Sequence, residues 1–156
     1  MRKRFMILML LAVLVGVGGW LVWLQSARGF SANAKPTWIE AELAALSRRL
    51  ALPSSDNNLR NPFPSTPARL AAAQQLYHSQ CELCHGANGD GRTAVGESLY
   101  PKAPDLRGMT QNKSDGALFY SIRNGIRLSG MPAWNRQDSD AQIWGLVSWI
   151  RSLRKK

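Results

Sequence analysis

The chain has 156 residues, which is room for one small domain with appendages. Twenty Lys and Arg stand against ten Asp and Glu, and without the tip Arg2-Lys3-Arg4 the balance is still 17 minus 10, or +7. The positive residues are scattered, not clustered with aromatic ones. That pattern excludes a nucleic-acid interface and suits acidic partners or a membrane surface.

The chain opens with an uncharged apolar run, Phe5 to Leu24, of 20 residues. This is long enough to cross a bilayer as a helix. Arg2-Lys3-Arg4 precede it and keep the amino terminus cytoplasmic, while Trp20 and Trp23 sit at its outer end, where indoles favour the interface. A cleaved signal peptide competes with this reading, because Ala32-Asn33-Ala34 has the A-x-A form. The apolar run exceeds a usual signal core and the A-x-A lies well beyond it, which favours a retained anchor over residues 1–26. Both readings export the rest of the chain. The anchored form sits in the cytoplasmic (inner) membrane as a single-pass protein with its domain on the periplasmic side.

Residues 27–66 read as a periplasmic linker carrying one helix. Thr37-Trp38-Ile39-Glu40 has the form of a capping box. The helix it starts runs over 38–50, with Ile39, Leu43, Leu46 and Leu50 on one stripe and Arg48 and Arg49 suiting its C-terminal dipole. Alone such a helix is marginal, so it needs either the following domain or a partner to pack on. Pro53, Pro62, Pro64 and Pro67 then punctuate an extended segment without a core of its own. It either spaces the domain from the membrane or wraps across that domain as a strap.

Thr66-Pro67 supplies an N-cap and a first-turn proline for a helix over 67–80. That helix delivers the chain into Cys81-Glu82-Leu83-Cys84-His85. The pattern is C-x-x-C-H, the attachment signature of a c-type haem, and it uses both cysteines of the chain. Each thiol adds to one vinyl group, so two sulfurs are needed a fixed distance apart; the next residue brings its imidazole to the iron. A zinc site wants a second Cys or His pair. A thioredoxin-like pair wants a βαβ setting, and a plain disulfide explains neither His85 nor the sequence beyond it.

Gly86 to Gly91 reads as a flexible turn and Gly96 to Pro104 as irregular loop. A short helix is expected from Ser114 or Asp115 to Asn124, with Gly125 at its C′ position. Ser139-x-x-Gln142 caps a last helix from about Asp140 to Leu153, whose apolar face is Ile143, Leu146, Val147 and Ile150, flanked by Trp144 and Trp149. The fold class is all-α: a small helical domain over 67–156 around one covalent haem.

Residues 67–153 resemble a class I c-type cytochrome in the order of their features. The haem motif comes first. Ala103-Pro104-Asp105-Leu106-Arg107-Gly108 is similar to the family's proline-leucine-glycine loop. Asn124 to Trp134, with Gly130-Met131-Pro132, is similar to its second-ligand segment, and an amphipathic helix closes the set. The resemblance implies one haem c joined through Cys81 and Cys84, with His85 and Met131 as axial iron ligands. The alternative thioether is Met109, which lacks a following proline. The resemblance also implies that the Pro104 carbonyl faces the proximal imidazole, and that Ala73 and Tyr77 pack against Leu146 and Trp149. The family usually has Gly where Ala73 stands. Arg123, Arg127 and Trp134 are candidate partners for the haem propionates. His78 reads as a solvent-facing histidine.

Two strong-field ligands leave no open iron position, which points to outer-sphere electron transfer and not to an enzyme. The expected partners are the membrane and protein redox partners: a quinol-oxidising complex or dehydrogenase as donor, and a terminal oxidase or reductase as acceptor. The other readings are a dedicated haem subunit of a larger exported dehydrogenase, a haem-based sensor whose Met131 dissociates, and, least favoured, a peroxidase.

Overall fold

The computed structural model describes residues 2–28, 36–50 and 53–154. Among them the regular structure is helical throughout. α1 (Arg2–Arg28) is long and apolar enough to cross a membrane. Contacts divide the chain into two units, 1–35 and 36–156, and α1 belongs to the first. The Ala32-Asn33-Ala34 sequence lies outside the described residues.

α2 (Trp38–Leu50) starts where expected, with the Glu40 amide donating to the Thr37 hydroxyl. Ile39, Leu43 and Leu46 are exposed, so this part of the stripe lies open to solvent. The side chains of Arg48, Arg49 and Leu50 lie outside the described residues.

Of the two options for the proline-rich segment, the structure takes the strap. A short helix, α3 (Ser54–Asn57), lies against the domain: Asn57 Oδ1 accepts from the Ser114 hydroxyl at 2.7 Å. The Asn61 amide donates to the Trp144 carbonyl at 3.2 Å and to Ser148 Oγ at 2.9 Å. Phe63 packs on the core beneath the Arg69 guanidinium, 4.8 Å from the ring centre.

Three helices make the frame of the domain: α4 (Pro67–Gln80), then two later ones after a run of loops. α4 is capped by Thr66, which accepts the Arg69 amide. The chain next forms α5 (Glu82–His85) and α6 (Ala94–Ser98). α6 occupies the start of the stretch expected to be irregular. Thr93 caps it through Gly96 and lacks the Glu or Gln at the third position that would have marked a capping box. A 3₁₀ turn (Met109–Asn112) precedes α7 (Asp115–Asn124), capped by Ser114. α7 ends at Gly125, whose φ of 68° suits glycine; a Cβ there would also lie 2.7 Å from the Ala133 nitrogen. α8 (Asp140–Ser152) has both arms of the Ser139/Gln142 capping box.

The core sits where these helices meet. Tyr77, Ile143, Leu146 and Val147 are at most 1% exposed. Phe119 stacks on Trp144 with ring centres 4.3 Å apart. At the crossing of α4 and α8 a Cβ on Gly145 would lie 3.3 Å from the Cβ of Ala73. The glycine expected on α4 thus has its counterpart on α8, and the helices still approach closely. Tyr77 and Trp149 pair across the same crossing at 6.2 Å, as expected.

The loops form a wall opposite the frame, and one amide clips them to it. Gln111, 6% exposed, donates to the carbonyls of Leu106 and Ile150, both at 2.7 Å. Arg151 reaches from α8 to the Gln111 and Lys113 carbonyls and pairs with Asp115 at 2.7 Å.

Candidate functional site

Between frame and wall lies a mostly apolar cavity of 370 Å³, in the size range of small-molecule sites. Cys81, Cys84, His85, Pro104, Met131 and Trp134 all line it. Sequence separations of up to about fifty residues therefore close onto one space. Met109 lies elsewhere and is 87% exposed.

The end of α4 and α5 position the haem motif. The Cys81 amide still donates to Tyr77, and the His85 amide bonds back to Cys81 at 2.9 Å. Cys81 and Cys84 are free and half-buried. Burial, helped by the Asp138 carboxylate and Cys84, pushes the Cys81 thiol up to about 12, so it is neutral at neutral pH. Burial pulls the His85 imidazole below its ordinary value, against the smaller opposite effect of the Pro104 carbonyl. His85 Nδ1 is buried without a well-formed hydrogen bond, so the Pro104 carbonyl is an electrostatic neighbour of the ring and not yet a directed acceptor. The next turn folds tightly over this segment. Gly91, at φ 71°, donates to the His85 carbonyl, and a Cβ on it would lie 2.4 Å from the Ala103 carbonyl. Tyr77 ties frame to wall: its hydroxyl donates to the Gly86 carbonyl at 2.7 Å, and burial holds the phenol protonated well above its ordinary value.

Met131 comes from the other side. It is half-buried and packs against the core. Its loop is a closed turn: Ile126 donates to the Met131 carbonyl at 3.1 Å, and the Ser129 hydroxyl donates to Ile126 while accepting from the Met131 amide. Leu128 in this turn has φ 60°. Gly130, expected to leave room for a haem, also makes room for Leu99, whose side chain would lie 2.6 Å from a Cβ there.

Among the candidate propionate partners, Trp134 reaches the cavity, whereas Arg123 is committed to Asp140 at 2.9 Å and Arg127 is not among the lining residues. Lys102 and Lys113 line the cavity instead, and Lys102 pairs with Glu97. Nothing in sequence spacing distinguished these lysines from the other scattered cations. His78 lies on the outside of α4, paired with Glu82 at 2.6 Å.

The donor set suits a c-type haem: two thiols three positions apart, an imidazole, a thioether, and apolar walls for a macrocycle. The comparisons agree. A family described as cytochrome C oxidase, cbb3-type, subunit III matches residues 68–150. The cbb3-type cytochrome c oxidase subunit CcoP of Azospirillum brasilense is 37% identical over 90 residues, covering 53% of this chain and 29% of that protein. The chain thus spans under a third of that curated relative. A solved chain of a Kuenenia stuttgartiensis reducing HAO-like protein complex shares the fold at TM-score 0.55 and 23% identity, covering 66% of this chain and 50% of that one. Cytochrome cL of Methylophaga aminisulfidivorans is 21% identical with TM-score 0.48, covering 81% of this chain and 72% of that one. Since the family match takes in more than half of the 156 residues, from α4 into the last turn of α8, the chain belongs to the cytochrome c family of cbb3-type oxidase subunit III.

Proposed function

We propose that this chain is a membrane-anchored, single-haem electron-transfer protein. The observation that carries the proposal is the convergence of Cys81, Cys84, His85 and Met131 on one apolar cavity. In this reading Cys81 and Cys84 hold the haem through thioethers, and His85 and Met131 are its axial ligands. The single C-x-x-C-H, which consumes both cysteines, supports one haem. When bound, the haem supplies a one-electron site that alternates between ferric and ferrous iron.

The chain's own residues do the rest. His85 and Met131 would both ligate the iron, and an iron so held would exchange single electrons by outer-sphere transfer. The Met131 thioether favours reduced iron and raises the potential. The Pro104 carbonyl, beside the ring, would orient the imidazole and make it a stronger donor on accepting from Nδ1. The closed turn 126–131 holds the Met131 backbone in place, and the mostly apolar lining would limit water at a bound haem.

α1 anchors the domain at the cytoplasmic membrane, with the domain on its outer face and Arg2-Lys3-Arg4 inside. Electrons then pass between membrane or exported partners: a quinol-oxidising complex or dehydrogenase as donor, a terminal oxidase or reductase as acceptor. A second reading, a fixed haem subunit of an oxidase or dehydrogenase complex, is favoured by the identity with an oxidase subunit. Purification from native membranes in mild detergent separates the two, since a stoichiometric complex selects the subunit. The same preparation should carry haem that survives acid-acetone extraction and a ferric far-red band from sulfur ligation, lost in Met131→Ala. A protein without covalent haem, or a band untouched by that substitution, would overturn the ligand assignment.

A further inference from the structure

One charged group next to the cavity is left unused by this function. Asp138 is 6% exposed, between the Met131 loop and α8. Its Oδ1 accepts from the Gln80 amide at 3.1 Å, while its Oδ2 and the Gln80 Oε1 are buried with no partner. One bond that leaves two buried acceptors without donors is a poor way to bolt helices together. An amide at position 138 would satisfy the Gln80 oxygen, and a carboxylate does not. The geometry does suit a charge. Asp138 directly precedes Ser139, the N-cap of α8, so the positive end of that helix stabilises an anion there. Gln80 directly precedes Cys81, and the field of Asp138 already acts on the Cys81 sulfur.

We propose that Asp138, held by Gln80 at the start of α8, is a fixed negative charge beside the haem attachment point that holds the reduction potential down. This rests on the haem reading given above. A ferric haem core carries one more positive charge than a ferrous one, so a nearby buried carboxylate stabilises the oxidised form. It works against the Met131 thioether, which favours the reduced form, and the two together set the working potential.

The test compares Asp138→Asn and Asp138→Ser in the full-length holoprotein, with Asp140→Asn as an exposed control. Both substitutions at 138 remove the charge, and Asn also keeps a group able to bond Gln80. Potentiometric titration at pH 7 should show both variants shifted upward by at least about threefold in the ferrous-to-ferric ratio, about 30 mV at 59 mV per tenfold. The control should move much less. Thermal unfolding of Asp138→Asn should be no lower than that of the parent chain. An intact haem with an unmoved potential overturns the role of Asp138 alone. A shift in Ser but not in Asn overturns it too, because that pattern follows the hydrogen bond and not the charge. If the Asn variant does not mature, the Ser variant against the control decides. A preparation with no covalent haem overturns the haem reading as well.

Discussion

The frame and the wall face the same cavity but are held together differently. The frame of α4, α7 and α8 is held by apolar burial, with Tyr77, Ile143, Leu146 and Val147 sealed from solvent. The wall, from Gly86 to Lys113 and from Gly125 to Gln137, has few sealed apolar groups and depends on directed bonds: Tyr77 to Gly86, Gln111 to Leu106 and Ile150, and Ser129 within the Met131 turn. A half held by burial can form before the haem arrives. A half held by single bonds can shift the Met131 sulfur without rebuilding the core.

Substitutions can break that comparison. Leu146→Ala in the frame should cost about 2–5 kcal/mol, the range for buried leucines, read as a lowered unfolding midpoint with the far-red band kept in the folded fraction. Loss of the band at temperatures where the protein is still folded would mean that frame and ligand loop are not separable. Gln111→Ala removes the clip and takes the side-chain donor from the Leu106 carbonyl, at a cost of about 1–3 kcal/mol, while the Ile150 carbonyl keeps the Leu153 amide. Its amide exchange should rise first in the wall. Uniform loss of protection across α4 and α8 would deny the distinction.

Tyr77→Phe deletes one bond between the halves and should cost about 1–2 kcal/mol by denaturant titration. An unchanged midpoint would show that the Gly86 carbonyl finds another donor. The smallest effect expected is a gain: Leu128→Gly relieves a left-handed backbone and should stabilise by about 0.5–1 kcal/mol in the same titration. A loss of stability there would show that the exposed leucine contributes contacts worth more than its strain.

The frame was legible in the sequence because its signals are local. Thr37, Thr66 and Ser139 cap the helices they were expected to cap, Gly125 ends α7, and the apolar face of α8 is the buried one. The sequence marked the cysteines and His85 as a spaced motif and Met131 by the glycine and proline around it, and all four line the one cavity. Periodicity left one choice open. α2 has the stripe of a packed helix, yet Ile39, Leu43 and Leu46 stay exposed, since a stripe records what a helix can pack on and not where that partner is. The strap was open for the opposite reason. Its attachments are single polar contacts such as Asn61 to Ser148, 87 positions apart, and no local pattern encodes them. Gln111, Asp138 and Lys113 escaped notice likewise, because a lone polar residue acquires its role only from distant neighbours.

The strap has a consequence for how widely the domain can roam. Fourteen residues, 53 to 66, would add about 45 Å of slack if they hung free, at about 3.3 Å each. Pinned along the domain through Asn57, Asn61 and Phe63, they contribute none of it. If α1 is held in a membrane, the strap then adds no length to the tether between that membrane and the cavity. Loosening the strap, as Asn61→Ala would begin to do, would release that length without touching the cavity.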